Sequence, residues 1–517
     1  MRSKGKRPSR SDGMRMDEMK RSGKMRKAAA SAGFMVLLVA AAVWIGLIAF
    51  SEKAAHGPVS VWMTTADQSK LLHREADIGW NRDGQASDMT IDVDDGTEYQ
   101  RMDGFGAAMT ESSAWLIANK LSEGKRNELM NRLFSYDNGI GISYLRLPMG
   151  ATDFSLSHYT YDDMPEGQTD PELRSFSIEH DKAYIIPALR QARAINPDLG
   201  IMASPWSAPA WMKTSGSLIK GSLKEEAYPV YAEYFVKFVQ AYASEGIPID
   251  AVTLQNEPHY EPDGYPGMRM EAREQAAFVK SHLGPAFDKA KLNTKIVVWD
   301  HNWDEPYYPI EVLSDPEANK YIAGSAFHGY AGEVANQQKV HDAFPDKDIY
   351  FTESSGGQWA PNFADNLKWD MRNLIIGAPR YWAKTVLKWN LALDESHGPA
   401  NGGCSDCRGL VTIDGASGNV FFNSEYYAFG HASKFVKPGA YRIESSSYGD
   451  GGIENVAFRN PDGSNVLIAF NSASESRPLN VRWHGRSFAY SLPAGAAATF
   501  VWQGDRSANR VEGGQRS

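Results

Sequence analysis

Eight short apolar segments punctuate residues 101–393, and amphipathic stretches separate them. No other feature of the chain constrains its fold as tightly. The segments are RMDGFGAAMT (101–110), GISYLRLPM (141–149), LGIMASPW (199–206), IDAVTLQNEP (249–258), TKIVVWD (294–300), IAGSAFHGY (322–330), DIYFTES (348–354) and AKTVLKWNLAL (383–393). They are short and rich in β-branched or aromatic residues, as buried strands are. Between them, HDKAYIIPALRQARAI, VYAEYFVKFVQAYASEG and DNLKWDMRNLIIGAPRYW repeat apolar residues at helical spacing. Eight β units with seven helical crossovers predict an α/β fold: a closed (β/α)8 TIM barrel over residues 101–424. A doubly wound open sheet is the alternative, but it seldom needs eight such units.

After Ser424 the pattern changes. YRIESS, IENVAFRN, SNVLIAFNS, PLNVRWHG and AAATFVWQ alternate with turn signals such as DGG, PDG and PAG. This predicts a side-associated antiparallel β-sandwich over 425–503. VSVWMTT (59–65) and MTIDVDDG (89–96), within residues 56–100, are expected to add strands to it. The polar end, 504–517, is expected to be disordered.

Charge is uneven. Residues 1–27 carry eleven Lys/Arg and three acids, a balance of +8, whereas the rest of the chain stands at −17. An acidic body disfavours nucleic acid as a partner. The basic tail precedes an uncharged apolar run at 28–50, AAASAGFMVLLVAAAVWIGLIAF, which is long enough to span a bilayer. Positive charge on that flank predicts a cytoplasmic N-terminus. The expectation is therefore a signal-anchor, with the membrane as partner and the enzyme body on the extracellular face. A cleaved signal peptide and a secreted protein are the alternative. The two cysteines, Cys404 and Cys407, lie in the Gly-rich loop GPANGGCSDCRG. They are read as a local staple or as thiols, because a zinc site needs two further ligands.

Barrel active sites lie at the C-terminal ends of the strands. There the sequence offers Arg146 and Asp153 at strand two, Trp206 at three, Asn256 and Glu257 at four, His328 and Tyr330 at six, Glu353 at seven and Trp389 at eight. Two glutamates at strands four and seven face one barrel mouth. Glycoside hydrolysis needs such a pair, one carboxylic acid to protonate the leaving oxygen and one carboxylate at the anomeric carbon. Arg146, Tyr330 and His328 are candidate partners that keep Glu353 ionised, and burial near a negative charge is expected to raise the proton carrier. No H-E-x-x-H, no G-x-S-x-G and no complete dinucleotide fingerprint occurs. No metal and no cofactor is implied.

The segments GFGAAMTESSAWL, YLRLPMGATDFS, ASPWSAPAWMKTSG, QNEP, FTES and WNLAL resemble glycoside hydrolase family 30, in the branch of the glucosylceramidases and endo-β-1,6-glucanases. The likeness runs from about Arg101 to Phe435 and more weakly to Trp502. It implies a retaining β-glycosidase with Glu257 as acid/base and Glu353 as nucleophile. It further implies that Asp153 and Trp206 bind the non-reducing-end glucose, that Asn256, Tyr330 and Trp389 make other sugar contacts, and that Arg146 and His328 support them. Strand six reads His-Gly-Tyr where glucosylceramidases tend to carry Trp, and the loop after strand eight is closer to the β-1,6-glucanase side. Together these favour a β-1,6-glucan over a lipid glucoside. A glucosylceramidase or exo-β-glucosidase, or an inactive membrane-anchored carbohydrate-binding protein, are the competing expectations.

Overall fold

The computed structural model describes residues 57–81, 89–449 and 451–504. Eight parallel strands close into a barrel: Gly104–Ala108, Tyr144–Pro148, Gly200–Ser204, Ala251–Thr253, Lys295–Asn302, Ile322–His328, Asp348–Glu353 and Ala383–Lys388. Seven lie inside their predicted segments, the fifth overruns its segment, 294–300, by two residues, and neighbours in sequence are neighbours in the barrel. Helices such as Ile185–Ile195 and Tyr228–Ser244 form the crossovers, burying their apolar faces on the strands.

The barrel interior is built in layers. Tyr144, Met202, Ala251, Val297, Ala326, Tyr350 and Leu387 form one buried apolar cluster, with two tyrosines offset by two alanines. Strand side chains alternate with a period of two. Two residues further along therefore stand Arg146, Ser204, Thr253, His328, Thr352 and Trp389, at the end where the polar chemistry gathers. Strand five breaks the rule. Its register slips between Trp299 and His301, and Trp299 and Asp300 take φ of 70° and 72°. This bulge sends Trp299 outward onto Tyr308, 4.4 Å between ring centres, and turns Asp300 inward. Strand seven slips likewise between Phe351 and Glu353.

The second sheet has nine strands, ordered His73–Arg74, Ser60–Thr64, Ala497–Gln503, Ser464–Asn471, Ile453–Arg459, Tyr441–Ser445, Thr90–Arg101, Arg477–Trp483 and Arg486–Leu492. It is a curled, sandwich-like layer with one parallel pairing, between Thr90–Arg101 and Arg477–Trp483. Its central strands, Ile453–Arg459 and Ser464–Asn471, are buried on both faces. Val456, Phe458, Ile468 and Phe470 join the barrel's outer core, while Ala457, Leu467 and Ala469 face a second core with Trp483, Phe488 and Trp502. A helix, Ser424–Ser433, intervenes between barrel and sheet, inside the span 425–503 that the sequence reading assigned to the β domain.

Membrane attachment is a correction. Among the described residues no helix is long and apolar enough to cross a membrane; the longest α-helix, Tyr228–Ser244, has 17 residues. The membrane as partner and the single-pass location with the N-terminus inside thus have no spanning helix among the described residues to rest on. The basic tail 1–27, the apolar run 28–50 and residues 505–517 lie outside the described residues.

Candidate active site

Strand ends two, four, six and seven deliver a buried polar cluster. Arg146 is fully buried and ion-paired with Glu353 through Nη1. Its Nη2 donates to Asp300 Oδ2 at 2.8 Å and to Asn256 Oδ1 at 2.7 Å. Tyr330 donates its hydroxyl to Glu353 Oε1 at 2.9 Å. His328 bridges Glu257 Oε1 and Asp300 Oδ1, each at 3.0 Å. Oxygens of Glu257 and Glu353 and a nitrogen of His328 lie within 4.8 Å of one another. By distance these three could hold a cation. Arg146 on Glu353 and a protonated His328 already supply positive charge there, which works against a metal ion.

Asp300, absent from the residues singled out in the sequence, is the hub. Its carboxylate accepts from Arg146, His328, Ser204 Oγ (2.7 Å), Thr253 Oγ1 (2.6 Å) and Thr352 Oγ1 (2.7 Å). Its backbone carbonyl accepts from Glu257 N–H at 3.0 Å, and so holds Glu257 at its φ of 46°. The signal in sequence was an acid ending an apolar strand, KIVVWD, hidden because regular alternation would aim the tryptophan inward instead.

The electrostatics follow from burial. Desolvation disfavours the Asp300 anion, yet the Arg146 charge and the His328 hydrogen bond hold it well below the usual carboxylate range. Burial opposes a charged His328, but Glu353, Asp300 and Glu257 raise it to about 9, so it is protonated at neutral pH. Burial alone would raise Glu257; the hydrogen bond from His328 and the charges of His301, His328 and Arg146 outweigh this and lower it. Burial raises Glu353, with repulsion from Glu257 adding, against the pull of His328 and Arg146. These directions are the reverse of the sequence expectation, and the charged His328 seated on Glu257 is the cause. Two buried cations, Arg146 and His328, face Asp300 and the glutamate pair. Charges cancel when the pair carries one proton between them.

Asp153, Glu257, Tyr330, Glu353 and Trp389 line an open cleft of about 670 Å3. Trp206, Asn256, Arg146 and His328 lie buried behind that lining. Trp206 and Trp389 stack at 4.9 Å, and the Arg146 guanidinium lies over Trp206 at 4.8 Å. Burial pushes Asp153 up to about 8, with repulsion from Glu353 adding. Its Oδ2 accepts from Trp389 Nε1 at 3.4 Å, while its buried Oδ1 has no hydrogen-bond partner among the described residues. Cys404 and Cys407 are disulfide-bonded, and their loop covers Asp153 so closely that a Cβ on Gly403 would meet the Asp153 Cβ at 2.1 Å. Buried Lys213, another residue the sequence reading passed over, ties the loops after strands three and four. Its Nζ donates to Ser207 Oγ, Leu218 O and Gly267 O, each at 2.8 Å.

Comparison with known proteins agrees with this arrangement. The Glycosyl hydrolase family 30 TIM-barrel domain matches residues 102–436, and that family's beta sandwich domain matches 439–500. The chain is 33% identical over 489 residues to Endo-1,6-beta-D-glucanase neg1 of Aspergillus fumigatus, covering 88% of this chain and 98% of the relative. It is 32% identical over 448 residues to the lysosomal acid glucosylceramidase of Mus musculus, covering 82% and 85%. Among solved structures, the endo-beta1,6-glucanase BT3312 superposes with a TM-score of 0.81 at 36% identity, covering 86% of this chain and all of that one. The chain is an O-glycosyl hydrolase with retaining chemistry, and it belongs to glycosyl hydrolase family 30.

Proposed function

We propose that this enzyme is an endo-β-1,6-glucanase in which Glu353 is the nucleophile and Glu257 the acid/base. The observation that carries the chemistry is the approach of the two carboxylates, with oxygens within 4.8 Å. Retaining glycosidases keep their carboxyl groups about 5–5.5 Å apart, too close for an intervening water. The directions above favour the shared proton on Glu353 at rest, and the reactive arrangement is the tautomer that carries it on Glu257. Glu353 is then the anion, held by Arg146 and the Tyr330 hydroxyl.

Glu353 attacks the anomeric carbon while Glu257 gives its proton to the leaving oxygen. The resulting ester on Glu353 removes one negative charge from the cluster. Glu257, now ionised and bonded to His328, takes a proton from water, and that water opens the ester. The unpartnered Oδ1 of Asp153 suits a sugar hydroxyl, and Trp389 gives the ring an apolar wall. For the substrate, the support is the activity named for the fungal relative and for BT3312, together with a cleft open to solvent.

The test is a product assay on a β-1,6-glucan, with 4-nitrophenyl β-glucoside in parallel. Oligosaccharides from the glucan are the expected result. Release from the glucoside with the glucan untouched overturns the endo-glucanase reading, and glucosylceramide is then the next substrate. The two roles separate by mutation. Glu353→Gln should abolish turnover with the fold intact. Glu257→Ala should spare the first step for good leaving groups and regain turnover with azide. Equal loss on good and poor leaving groups removes Glu257 from the acid role.

A further inference from the structure

Two large aromatic side chains on the cleft rim have no part in the chemistry above. Trp359, in the loop after strand seven, is 56% exposed, and Tyr260, just past Glu257, is 49% exposed. Both line the same cleft as the glutamates. Scattered exposed aromatics need no explanation in general, but Trp359 has a constructed seat. Gly357 lies beneath its indole: a Cβ there would sit 2.0 Å from the ring. The Gly356–Gly357 backbone pairs with Cys407–Arg408, which anchors it to the disulfide loop, and Gln358 N–H donates to Asp406 O at 2.9 Å. Arg408 is fixed by a 2.7 Å ion pair with buried Glu425, whose carboxylate leaves no room for a side chain at Gly356. A glycine pair, a strand ladder and an ion pair thus hold one indole at the cleft rim with more than half its surface in water.

We propose that Trp359 is a platform for a glucose unit of the bound chain other than the one being cleaved, and that it makes the enzyme select chains over single glucosides. Pyranose rings present an apolar face of C–H groups that stacks on indole, and a ring already fixed loses little entropy on binding. This inference rests on the glucan reading above and deepens it.

The experiment measures kcat/KM of the unaltered enzyme and of Trp359→Ala on β-1,6-linked gluco-oligosaccharides of increasing length, with 4-nitrophenyl β-glucoside alongside. The expected result is a loss of about tenfold on the longer oligosaccharides, the scale of one large apolar contact. The nitrophenyl glucoside should be hydrolysed at the unaltered rate, which also controls for folding, and Trp359→Phe should recover most of the loss. If the unaltered enzyme gains from added units and Trp359→Ala keeps that gain, the platform is overturned while the glucan reading stands. If the unaltered enzyme gains nothing, the glucan reading falls and the platform with it. Equal loss on the single glucoside also overturns it, because Trp359 then acts on the reacting sugar or on the fold.

Discussion

An aspartate that accepts from an arginine, a histidine and three hydroxyls cannot become its amide without disturbing all five. In Asp300→Asn the amide nitrogen must face at least one donor, and Arg146 and His328 lose their shared counter-charge. Breaking a buried ion pair on one side costs roughly 3–5 kcal/mol. A drop in kcat of about 100-fold is expected, the scale of a misplacement near 1 Å. The pH profile gives a sharper sign. Asp300 helps raise His328 to about 9, so a cationic His328 steadies the fold fully below its ordinary value and ceases to do so as pH rises through about 9. Without the Asp300 charge this loss should be smaller and complete at lower pH. An alkaline limb of both kcat and thermal stability that shifts down in the variant supports the hub, and an unmoved limb removes His328 from it.

At the scale of elements, the helix Ser424–Ser433 is pinned to the β sheet by His431, which is buried between Thr64 and Thr499 with 2.9 Å hydrogen bonds on both ring nitrogens. Burial lowers its pKa to about 3. The unfolded chain binds a proton near the ordinary value of 6.5, so stability is complete above that and drains as pH falls toward about 3. About 2 kcal/mol should be lost at pH 5. His431→Gln keeps two polar contacts without the proton, and melting curves at pH 7 and pH 5 should show a smaller gap for the variant. The barrel strands were legible in sequence because hydrophobic segments of the right length repeat eight times. Glu257 and Glu353 were legible because each ends such a segment. Asp300 was not, since a bulge at Trp299 defeats the two-residue period on which such inference depends. The helix 424–433 was missed because SEYYAFGHAS mixes polar and apolar residues all around, is buried on nearly every side and shows no amphipathic stripe. The reversal of the glutamate pKa directions depended on His328 lying against Glu257, a contact across 71 positions of chain that spacing does not reveal.

At the scale of the whole molecule, one sheet serves two cores. Phe458 packs edge-on against Phe105 of the first barrel strand at 6.3 Å, while its neighbour Ala457 faces the other way. The described chain from Pro58 to Trp502 is one compact unit. A fragment limited to residues 102–436 would expose the apolar surface that Val456, Phe458, Ile468 and Phe470 cover. It should be aggregation-prone, and residues 58–504 should melt in a single transition by calorimetry. Two separated transitions would mean the barrel folds by itself. The sheet also places Ser60–Thr64 antiparallel to Ala497–Gln503, with Ser60 opposite Val501 and Thr64 opposite Ala497. Among the described residues, the first and last strands thus begin and end on the same side. Under tension applied between the two ends, their hydrogen bonds meet the load one after another, like a zipper drawn open, instead of sharing it in shear. A seam loaded in this way should part at a lower force than one loaded in shear, so pulling on the ends should open the outer sheet before the barrel.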